Sequence, residues 1–309
     1  MNLILIVFGA ACFASLANFF FRKNSTTSKS VNRYMCVQYL FSFIVSVLFE
    51  NFKEVPINFT MIGIGMVVGF CNVLLMILMS YALKKGPTGP IFAFQNASAM
   101  FPGLLLFISF GPVYGFNVTV LQIFGIGIVA LGLCCFARNS RDAGENTRLS
   151  QWIPYALACF FIQIIALTLI QWRSLLFLDH YEHLLLPTTV NMNADIWFLP
   201  GFFGSAFILQ ILLLAFERKK QQLEKFSSEQ PFREMTLGLF GGIANGFSTL
   251  FLAFATKNAL PFEKVMLFPC FAVFVIVLCS AWAWAIYKEK FDFTSNMVCS
   301  IGIMIGKLY

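Results

Sequence analysis

The sequence has few charged residues, and this shortage excludes a soluble globular fold. Asp, Glu, Lys and Arg make up 11% of the 309 residues, whereas soluble domains carry about 25%. Hydrophobic residues make up 59% of the chain, and the mean hydropathy is +0.80. No long polar stretch interrupts the apolar runs, so we predict an integral membrane protein, embedded in a lipid bilayer, without a separate soluble domain.

Histidine is scarce and the cysteines are not clustered, which argues against a metal centre. The chain has two His and nine Cys, and no two Cys have CxxC spacing. His180 and His183, with Asp179 and Glu182, have a metal-like composition but lack a third His. We therefore predict a solvated loop there, with no metal and no cofactor. The Cys residues are interpreted as small apolar side chains between helices.

Apolar runs of membrane-spanning length recur along the whole chain. A spanning helix needs about 20 apolar residues, and a backbone in lipid must satisfy its hydrogen bonds within helices or closed barrels. The runs lack the alternation of strands, so we predict an all-α integral membrane bundle of about ten transmembrane helices. The predicted spans are 2–21, 34–49, 59–82, 89–110, 118–137, 152–171, 196–216, 236–256, 262–286 and 291–308.

An internal repeat relates spans of the first half to spans of the second. The third and eighth spans match at a shift of 173 positions (65 to 238), and the fifth and tenth at 175 (119 to 294). Phe101-Pro102 also has a counterpart in Phe268-Pro269, and both prolines are expected to kink their helices. The matched residues of the third and eighth spans are Gly65, Gly69, Asn72, Ala82 and Lys84 with Gly238, Gly242, Asn245, Ala255 and Lys257.

This repeat predicts the organisation of the chain. The first five-helix repeat covers 1–137, a polar linker covers 138–151, and the second repeat covers 152–309. Because each half holds an odd number of spans, the two copies must lie in opposite orientations. Inverted repeats are typical of secondary transporters, whose site lies between the copies at the middle of the membrane.

Short motifs at the ends of several spans also have a familiar pattern. They are Tyr81-Ala82-Leu83-Lys84-Lys85, Phe254-Ala255-Thr256-Lys257 and Tyr287-Lys288-Glu289-Lys290-Phe291. With them the chain resembles, over its full length, the EamA-like ten-helix branch of the drug/metabolite transporter superfamily. The resemblance implies a central cavity and export or exchange of amino acids, nucleotide-like metabolites or drugs. The first half lacks the Glu of the third motif, and the half-apolar segment 173–195 departs from the compact link of that family.

The polar side chains inside the predicted spans are mainly amides. Amides donate and accept hydrogen bonds, so they can hold a zwitterion or a heterocycle without a buried charge. The alternative is that they join helices, at about 0.6 kcal/mol per bond. The candidate substrate-binding residues are Asn18, Asn72, Gln95, Asn96, Gln163, Asn245, Glu263 and Lys264.

The charged residues bear on gating, coupling and orientation. Glu263 and Lys264 open the ninth span as interface anchors or as a gate pair. No acidic residue lies at the middle of a predicted span, which favours exchange or facilitated movement over proton antiport. Most of the 21 Lys and Arg residues follow odd-numbered spans, which places both termini outside the cytoplasm. The resemblance implies termini inside, so the orientation stays open.

Three functions are weighed for this pattern. We expect a transporter of a small polar or zwitterionic metabolite, not an enzyme, in a plasma or inner membrane, as a monomer or homodimer. A membrane-embedded enzyme acting on a lipid or isoprenoid is the alternative, and 179–183 is the one acidic and histidine-rich cluster it could use. A receptor or assembly protein would leave the repeat unexplained. No nucleic-acid-binding motif is present in the sequence, so nucleic acid is not expected as a partner.

Overall fold

The computed structural model is a bundle of helices, and the all-α prediction is confirmed for the residues that the structure describes. No strand occurs among these residues. They are 3–28, 31–50, 52, 55–86, 88–110, 119–142, 149–173, 176, 192–224, 231–259, 261–288 and 293–305.

The helices follow the predicted spans closely. α6 continues to Asp142 and α7 begins at Leu149, so helix covers both ends of the predicted linker 138–151. The helices are α1 (Leu3–Thr27), α2 (Asn32–Leu48), α3 (Phe59–Lys85), α4 (Thr88–Ala97), α5 (Phe101–Phe110), α6 (Val120–Asp142), α7 (Leu149–Arg173), α8 (Phe198–Glu224), α9 (Pro231–Asn258), α10 (Pro261–Tyr287) and α11 (Phe293–Ile305).

Seven helical stretches in the described part of the chain are long and apolar enough to cross a membrane. This length and composition agree with the prediction of a membrane protein. The stretches are Leu3–Thr27, Phe59–Lys85, Pro90–Ser109, Gln151–Arg173, Asn193–Glu217, Pro231–Asn258 and Leu267–Tyr287.

The predicted fourth span is interrupted near its middle, beside Pro102. A 3-10 turn over Ser98–Met100 separates α4 from α5. Pro102 has no N–H to donate to the carbonyl of Ser98, and its ring crowds that oxygen. The N–H of Phe101 donates to the Ser98 oxygen instead, which tightens the chain there. Pro269, the counterpart in the repeat, lies inside the continuous helix α10, so the two prolines have different local effects.

Most helices pack against helices of the other sequence half. α1 packs on α9 and α10, and α2 packs on α8 and α9. α3 packs on α7 and α8, while α4 and α5 pack on α7. In the described residues, α1 makes few contacts with α2, and α7 few with α8. We call α1, α2, α9 and α10 the first bundle, and α3, α4, α5, α7 and α8 the second bundle.

Three further pairs of helices pack closely. The α2–α8 and α4–α10 contacts join the first bundle to the second, and α6 pairs with α11. All three pairs combine one helix of each sequence half. The polar side chains that matter for function are therefore positioned by contacts between segments far apart in the chain.

Two glycines let α3 lie directly against the backbone of α8. A Cβ atom on Gly65 would meet the backbone oxygen of Phe198, and one on Gly69 would meet the backbone oxygen of Phe202. Gly63, on the same helix, has nothing within 4 Å of its Cβ position. Small residues of this kind allow close helix approach in membranes.

Two glycines of α9 have the same role against α2. A Cβ atom on Gly238 would lie 2.7 Å from the backbone oxygen of Tyr34. One on Gly242 would lie 2.5 Å from the backbone oxygen of Gln38. The sequence matched Gly65 with Gly238 and Gly69 with Gly242, and each pair occupies a close helix contact.

Candidate functional site

Both repeat-related asparagines donate hydrogen bonds to hydroxyl groups of α2. Asn72 Nδ2 lies 3.2 Å from Tyr39 Oη, and Asn245 Nδ2 lies 3.2 Å from Ser42 Oγ. Ser42 Oγ donates in turn to the backbone oxygen of Gly242 at 2.9 Å. Tyr39 and Ser42 are fully buried, so these bonds form inside the protein. We call Gln38, Tyr39, Ser42, Asn72 and Asn245 the α2 polar cluster.

Gln38 leaves an amide oxygen of this cluster without a donor. The residue is 2% exposed, and its Oε1 accepts no hydrogen bond from the described residues. An unpaired buried polar atom costs about 1–3 kcal/mol. A hydroxyl or ammonium group of a ligand would remove that cost by donating to Oε1. The cluster therefore offers an acceptor as well as two amide groups.

The sequence named Asn72 and Asn245 but missed their partners on α2. Gln38, Ser42 and Ser46 recur at every fourth residue, which places them on one helix face. This polar stripe in an apolar helix was a usable signal for Ser42. Tyr39 lies off the stripe, and no pattern in the sequence pairs it with Asn72.

Asn18 belongs to a different polar contact, between α1 and α10. Its Nδ2 donates to Cys279 Sγ at 3.6 Å. Ser15, one turn before Asn18 in α1, accepts a hydrogen bond at its Oγ from Trp282 Nε1 at 2.9 Å. These bonds join two helices of the first bundle, which is the helix-joining role that was the alternative for the amides.

Gln95, Asn96 and Gln163 make no described hydrogen bond to the α2 polar cluster. Asn96 Nδ2 donates to the backbone oxygen of Phe92 in its own helix, at 2.8 Å. Gln95 Oε1 is buried, and no described residue donates to it. Gln163 is partly buried in α7.

The side chains of two groups of predicted residues lie outside the part of the chain that the structure describes. Glu263 and Lys264 lie in the first turn of α10, and their side chains lie outside the described residues. The segment 179–183, with its two histidines, also lies outside them. In the described part of the chain, no group of three or more His, Cys, Asp or Glu is arranged to hold a metal ion.

A second polar site lies where α7 ends, centred on Arg173. The Arg173 side chain is 1% exposed, and its Nη1 lies 2.9 Å from Oδ1 of Asp195, which is 8% exposed. Its Nη2 donates to Oγ1 of Thr256 in α9 at 3.2 Å. The guanidinium carbon lies 4.1 Å from the ring centroid of Phe198, within range of a cation–π contact. We call Arg173, Asp195, Phe198 and Thr256 the Arg173 site.

Hydrogen bonding at the Arg173 site is incomplete. Among the described residues, Arg173 Nε and Nη1 have no hydrogen-bond acceptor, and Asp195 Oδ1 has no donor. Opposite charge and proximity therefore hold the ion pair, without an aligned hydrogen bond. Arginine carries five donors in a planar fork, so donors on Nε and Nη1 remain available. No sequence pattern indicated the pairing of Arg173 with Asp195, because the two residues lie far apart in sequence, at opposite ends of the segment 173–195.

Glu50 follows the end of α2 and interacts with the charges of the Arg173 site. Burial raises the pKa of Glu50 above its ordinary 4.5, and the Asp195 carboxylate raises it further. The Lys257 and Arg173 charges each lower the pKa of Glu50, each by less than burial raises it. Glu50 therefore holds its proton more tightly in the folded protein than in the unfolded chain.

We expect Glu50→Gln to change how thermal stability depends on pH. The pKa of Glu50 is higher in the folded protein than in the unfolded chain. Ionisation of Glu50 therefore lowers the free energy of unfolding as the pH rises from 4.5 through the pKa of the folded state. Glutamine does not titrate, so the melting temperature of the wild type should fall relative to that of E50Q over this window. A fluorimetric melting series of the two proteins in detergent measures the difference. Parallel curves at all pH values would contradict the expectation.

Comparison with known proteins bears on the fold. No protein-family model and no curated protein matches the chain. Among chains of known structure, 25 match. One of them, described only as the crystal structure of a protein, superposes with a TM-score of 0.62 at 13% sequence identity. The match covers 99% of this chain and 95% of that chain. At this identity the likeness shows the fold alone, so function has to be argued from the geometry.

Proposed function

We propose that the chain is a secondary transporter of a small polar or zwitterionic metabolite, such as an amino acid or a nucleotide-like compound. In this proposal ten spans form two inverted five-helix halves, and the α2 polar cluster lines the substrate pathway. Transport proceeds by alternating access. One observation carries the proposal: the pattern of helix contacts is nearly unchanged when the two sequence halves are exchanged.

The exchange replaces α1 by α7, α2 by α8, α3 by α9, the α4–α5 pair by α10, and α6 by α11. The α1–α9 contact then becomes α7–α3, and α2–α9 becomes α8–α3, both of which occur. The α1–α10 contact becomes the contacts of α7 with α4 and α5, which also occur. The pairs α2–α8, α4–α10 and α6–α11 map onto themselves. Such a pattern supports a twofold relation between the halves.

Individual side chains support the same relation. Arg22, near the end of α1, donates from Nη1 to the backbone oxygen of Leu83 at 2.6 Å. Arg173, at the end of α7, donates to Thr256. Leu83 and Thr256 are 173 positions apart (256 − 83), the shift that also relates Gly65 to Gly238. In an inverted arrangement the two arginines would lie at opposite faces of the membrane.

The count of ten spans requires α2, α6 and α11 to cross the membrane as well. α2 has 17 residues, which at about 1.5 Å each give a length near the hydrocarbon thickness of about 30 Å. α6 has 23 residues, and the 13 described residues of α11 pack against it. The exposed side chains of both helices are mostly apolar, among them Phe124, Leu131 and Met304, which is consistent with two spanning helices at the lipid-facing edge of the bundle.

The packing also favours particular moving units. The Tyr39–Asn72 hydrogen bond joins α2 of the first bundle to α3 of the second, whereas Asn245 and Ser42 both belong to the first. Rocking of one bundle against the other would break the Tyr39–Asn72 bond and leave its groups for a substrate. The moving units in this proposal are therefore these mixed bundles, each containing helices of both halves.

Flux through reconstituted vesicles tests the proposal. Proteoliposomes holding the purified chain should take up at least one metabolite of a broad panel with saturable kinetics, and internal substrate should accelerate the uptake by counterflow. No such flux for any member of the panel would overturn it. Conversion of a lipid or isoprenoid by the same vesicles, without flux, would instead establish the alternative of a membrane enzyme.

Alanine in place of Asn72 or Asn245 should raise the KM for transport. The loss of one hydrogen bond is worth about 0.5–1.5 kcal/mol, or about 2- to 10-fold in KM. Asn258→Ala is the matched control: Asn258 Nδ2 donates to the backbone oxygen of Phe254 in its own helix, and Asn258 is not a candidate site residue, so the KM should stay the same. Equal amounts of folded protein, checked by gel filtration, are required for the comparison. Unchanged kinetics in N72A and N245A would remove both residues from the site.

A further inference from the structure

We propose that the Arg173 site recognises the two charges of a zwitterion, with the substrate carboxylate on Arg173 and the substrate ammonium on Asp195. This rests on the proposed function and narrows its substrate class to compounds such as α-amino acids, in which the two charges are separated by one carbon. The site lies at one end of the bundle, where α7 ends, α8 begins and α9 ends.

The arginine side of the site has unused donors in a buried position. Arg173 Nε and Nη1 point to no acceptor among the described residues, although the side chain is 1% exposed. Nη1 lies on the Cδ side of the guanidinium plane, 2.9 Å from Asp195 Oδ1, whereas the N–H of Nε points to the opposite side, next to Nη2, so Nε offers a separate charge-assisted hydrogen bond to a carboxylate. Thr256 Oγ1 and the Phe198 ring hold the rest of the group. A substrate carboxylate would therefore meet a charged donor that is already held in place.

The aspartate side is complementary. Asp195 Oδ1 lacks a donor within the described structure, although it lies 2.9 Å from Arg173 Nη1. An ammonium group carries three donors and no acceptor, so it can satisfy this oxygen. The pair is neutral, and so is a zwitterion. Binding between the two groups therefore adds no net charge to a buried site, whereas a lone anion or cation would add one.

The substrate itself offsets the free-energy cost of separating Arg173 from Asp195. Removing one partner from a buried pair is costly because the remaining charge is uncompensated. A zwitterion that enters between Arg173 and Asp195 gives each of them a new opposite charge as the old one moves away. Propionate or ethylamine, which carry only one of the two charges, would leave Asp195 or Arg173 respectively without a partner.

The location suits an entry site. Thr256 follows Asn245 by 11 residues on α9 (256 − 245), which is about 16 Å along the helix axis. The Arg173 site is thus separate from the α2 polar cluster. A substrate recognised by its charges at the end of the bundle would still have to pass the amides of that cluster to cross the membrane.

Binding to the purified protein in detergent, by calorimetry, tests the inference. The first probes are L-alanine, propionate and ethylamine, which carry both charges, the carboxylate alone and the ammonium alone. L-phenylalanine, 3-phenylpropionate and 2-phenylethylamine repeat the test with a larger side chain. In at least one set, the amino acid should bind the wild type about tenfold or more tightly than either relative, since each charged hydrogen bond contributes about 1.5–3 kcal/mol.

Variants separate recognition from a purely structural ion pair. The double variant Arg173→Gln with Asp195→Asn keeps two amides that can bond each other, so it should fold, and its affinity for the amino acid should fall about tenfold or more. Asp195→Asn alone should bring the affinities for amino acid and carboxylate close together. The matched control neutralises the Arg33–Glu234 pair, whose Nη1 and Oε2 lie 3.1 Å apart, with Gln at both positions. That control should bind like the wild type.

Several results would overturn the inference. They are binding of neither amino acid, equal binding of the amino acid and its carboxylate relative, or unchanged affinity in the double variant. Phosphatidylethanolamine presents a phosphate and an ammonium, so displacement of the amino acid by this lipid in mixed micelles would assign the site to lipid instead. If the double variant transports as fast as the wild type, the transport proposal is supported and the role of the Arg173 site is refuted. If the amino acid binds selectively by its charges but no flux is measured, the Arg173 site is supported and the transport proposal is refuted.

Discussion

Gly65→Ala should lower the melting temperature of the purified protein by several degrees, while Gly63→Ala, two residues away, should leave it unchanged or raise it. A Cβ atom on Gly65 meets the backbone oxygen of Phe198, and it would lie 2.7 Å from the backbone nitrogen of Phe202. Backbone atoms cannot rotate away, so α3 and α8 would have to separate. Overpacking of this kind costs about 1–3 kcal/mol or more, which exceeds the gain of about 1 kcal/mol for Ala over Gly in a helix.

The control is matched in helix, membrane environment and chemical change. Gly63 has open space at its Cβ position, so G63A changes the helix preference and little else. Gly242→Ala extends the test to the other half, since a Cβ there would lie 2.5 Å from the backbone oxygen of Gln38. Fluorimetric melting of the three variants beside the wild type measures the effect. Similar melting temperatures for G65A and G63A would show that α3 and α8 are not in this close contact.

The second large effect concerns the buried pair of Arg173 and Asp195. Arg173→Gln or Asp195→Asn alone should destabilise the protein by about 3–5 kcal/mol, because each leaves one buried charge without its partner. R173Q should be the more harmful, since it leaves Asp195 near the Glu50 carboxylate. The double variant should recover most of the loss, because replacing both members of a buried pair is often close to neutral.

A double-mutant cycle measures this coupling. Unfolding of the wild type, both single variants and the double variant in mixed micelles supplies the four free energies of unfolding. The interaction energy is the double effect minus the sum of the two single effects. Additive losses would show that Arg173 and Asp195 stabilise the fold independently, and that the ion pair is not formed in the protein.

The helices were predictable because run length and apolar composition suffice to locate a long apolar helix. The prediction of 59–82 corresponds to Phe59–Lys85, and 236–256 to Pro231–Asn258. The extra turns carry charged residues, which are Lys84, Lys85, Arg233, Glu234 and Lys257, and a hydropathy pattern omits such turns. α9 begins with Pro231, a residue favoured at the first position of a helix because the N–H it lacks would have no partner there.

Of the α2 polar cluster, the sequence predicted only the two residues that the repeat pointed to, and their role in substrate binding stays a prediction. Asn72 and Asn245 stood out because they match in the two copies and lie among glycines. Tyr39 and Arg173 were missed because their partners are set by packing between distant segments, which composition does not encode. Asn18 and Asn96 were chosen as polar residues in apolar runs. That criterion does not distinguish a pathway amide from one that bonds a neighbouring helix or its own backbone.

The exchange of neighbours between the halves has a consequence for biogenesis. α1, α2 and α3 find their main packing partners among α7, α8, α9 and α10, which the ribosome delivers later. Each newly inserted helix is stable in lipid on its own, and helix association follows as a second stage. In a bilayer, α3 would therefore keep Gly65 and Gly69, which later meet α8, against lipid until that helix arrives. A chain stopped after Asp142 would contain the complete helices α1 to α6 but lack most of the surfaces on which they assemble.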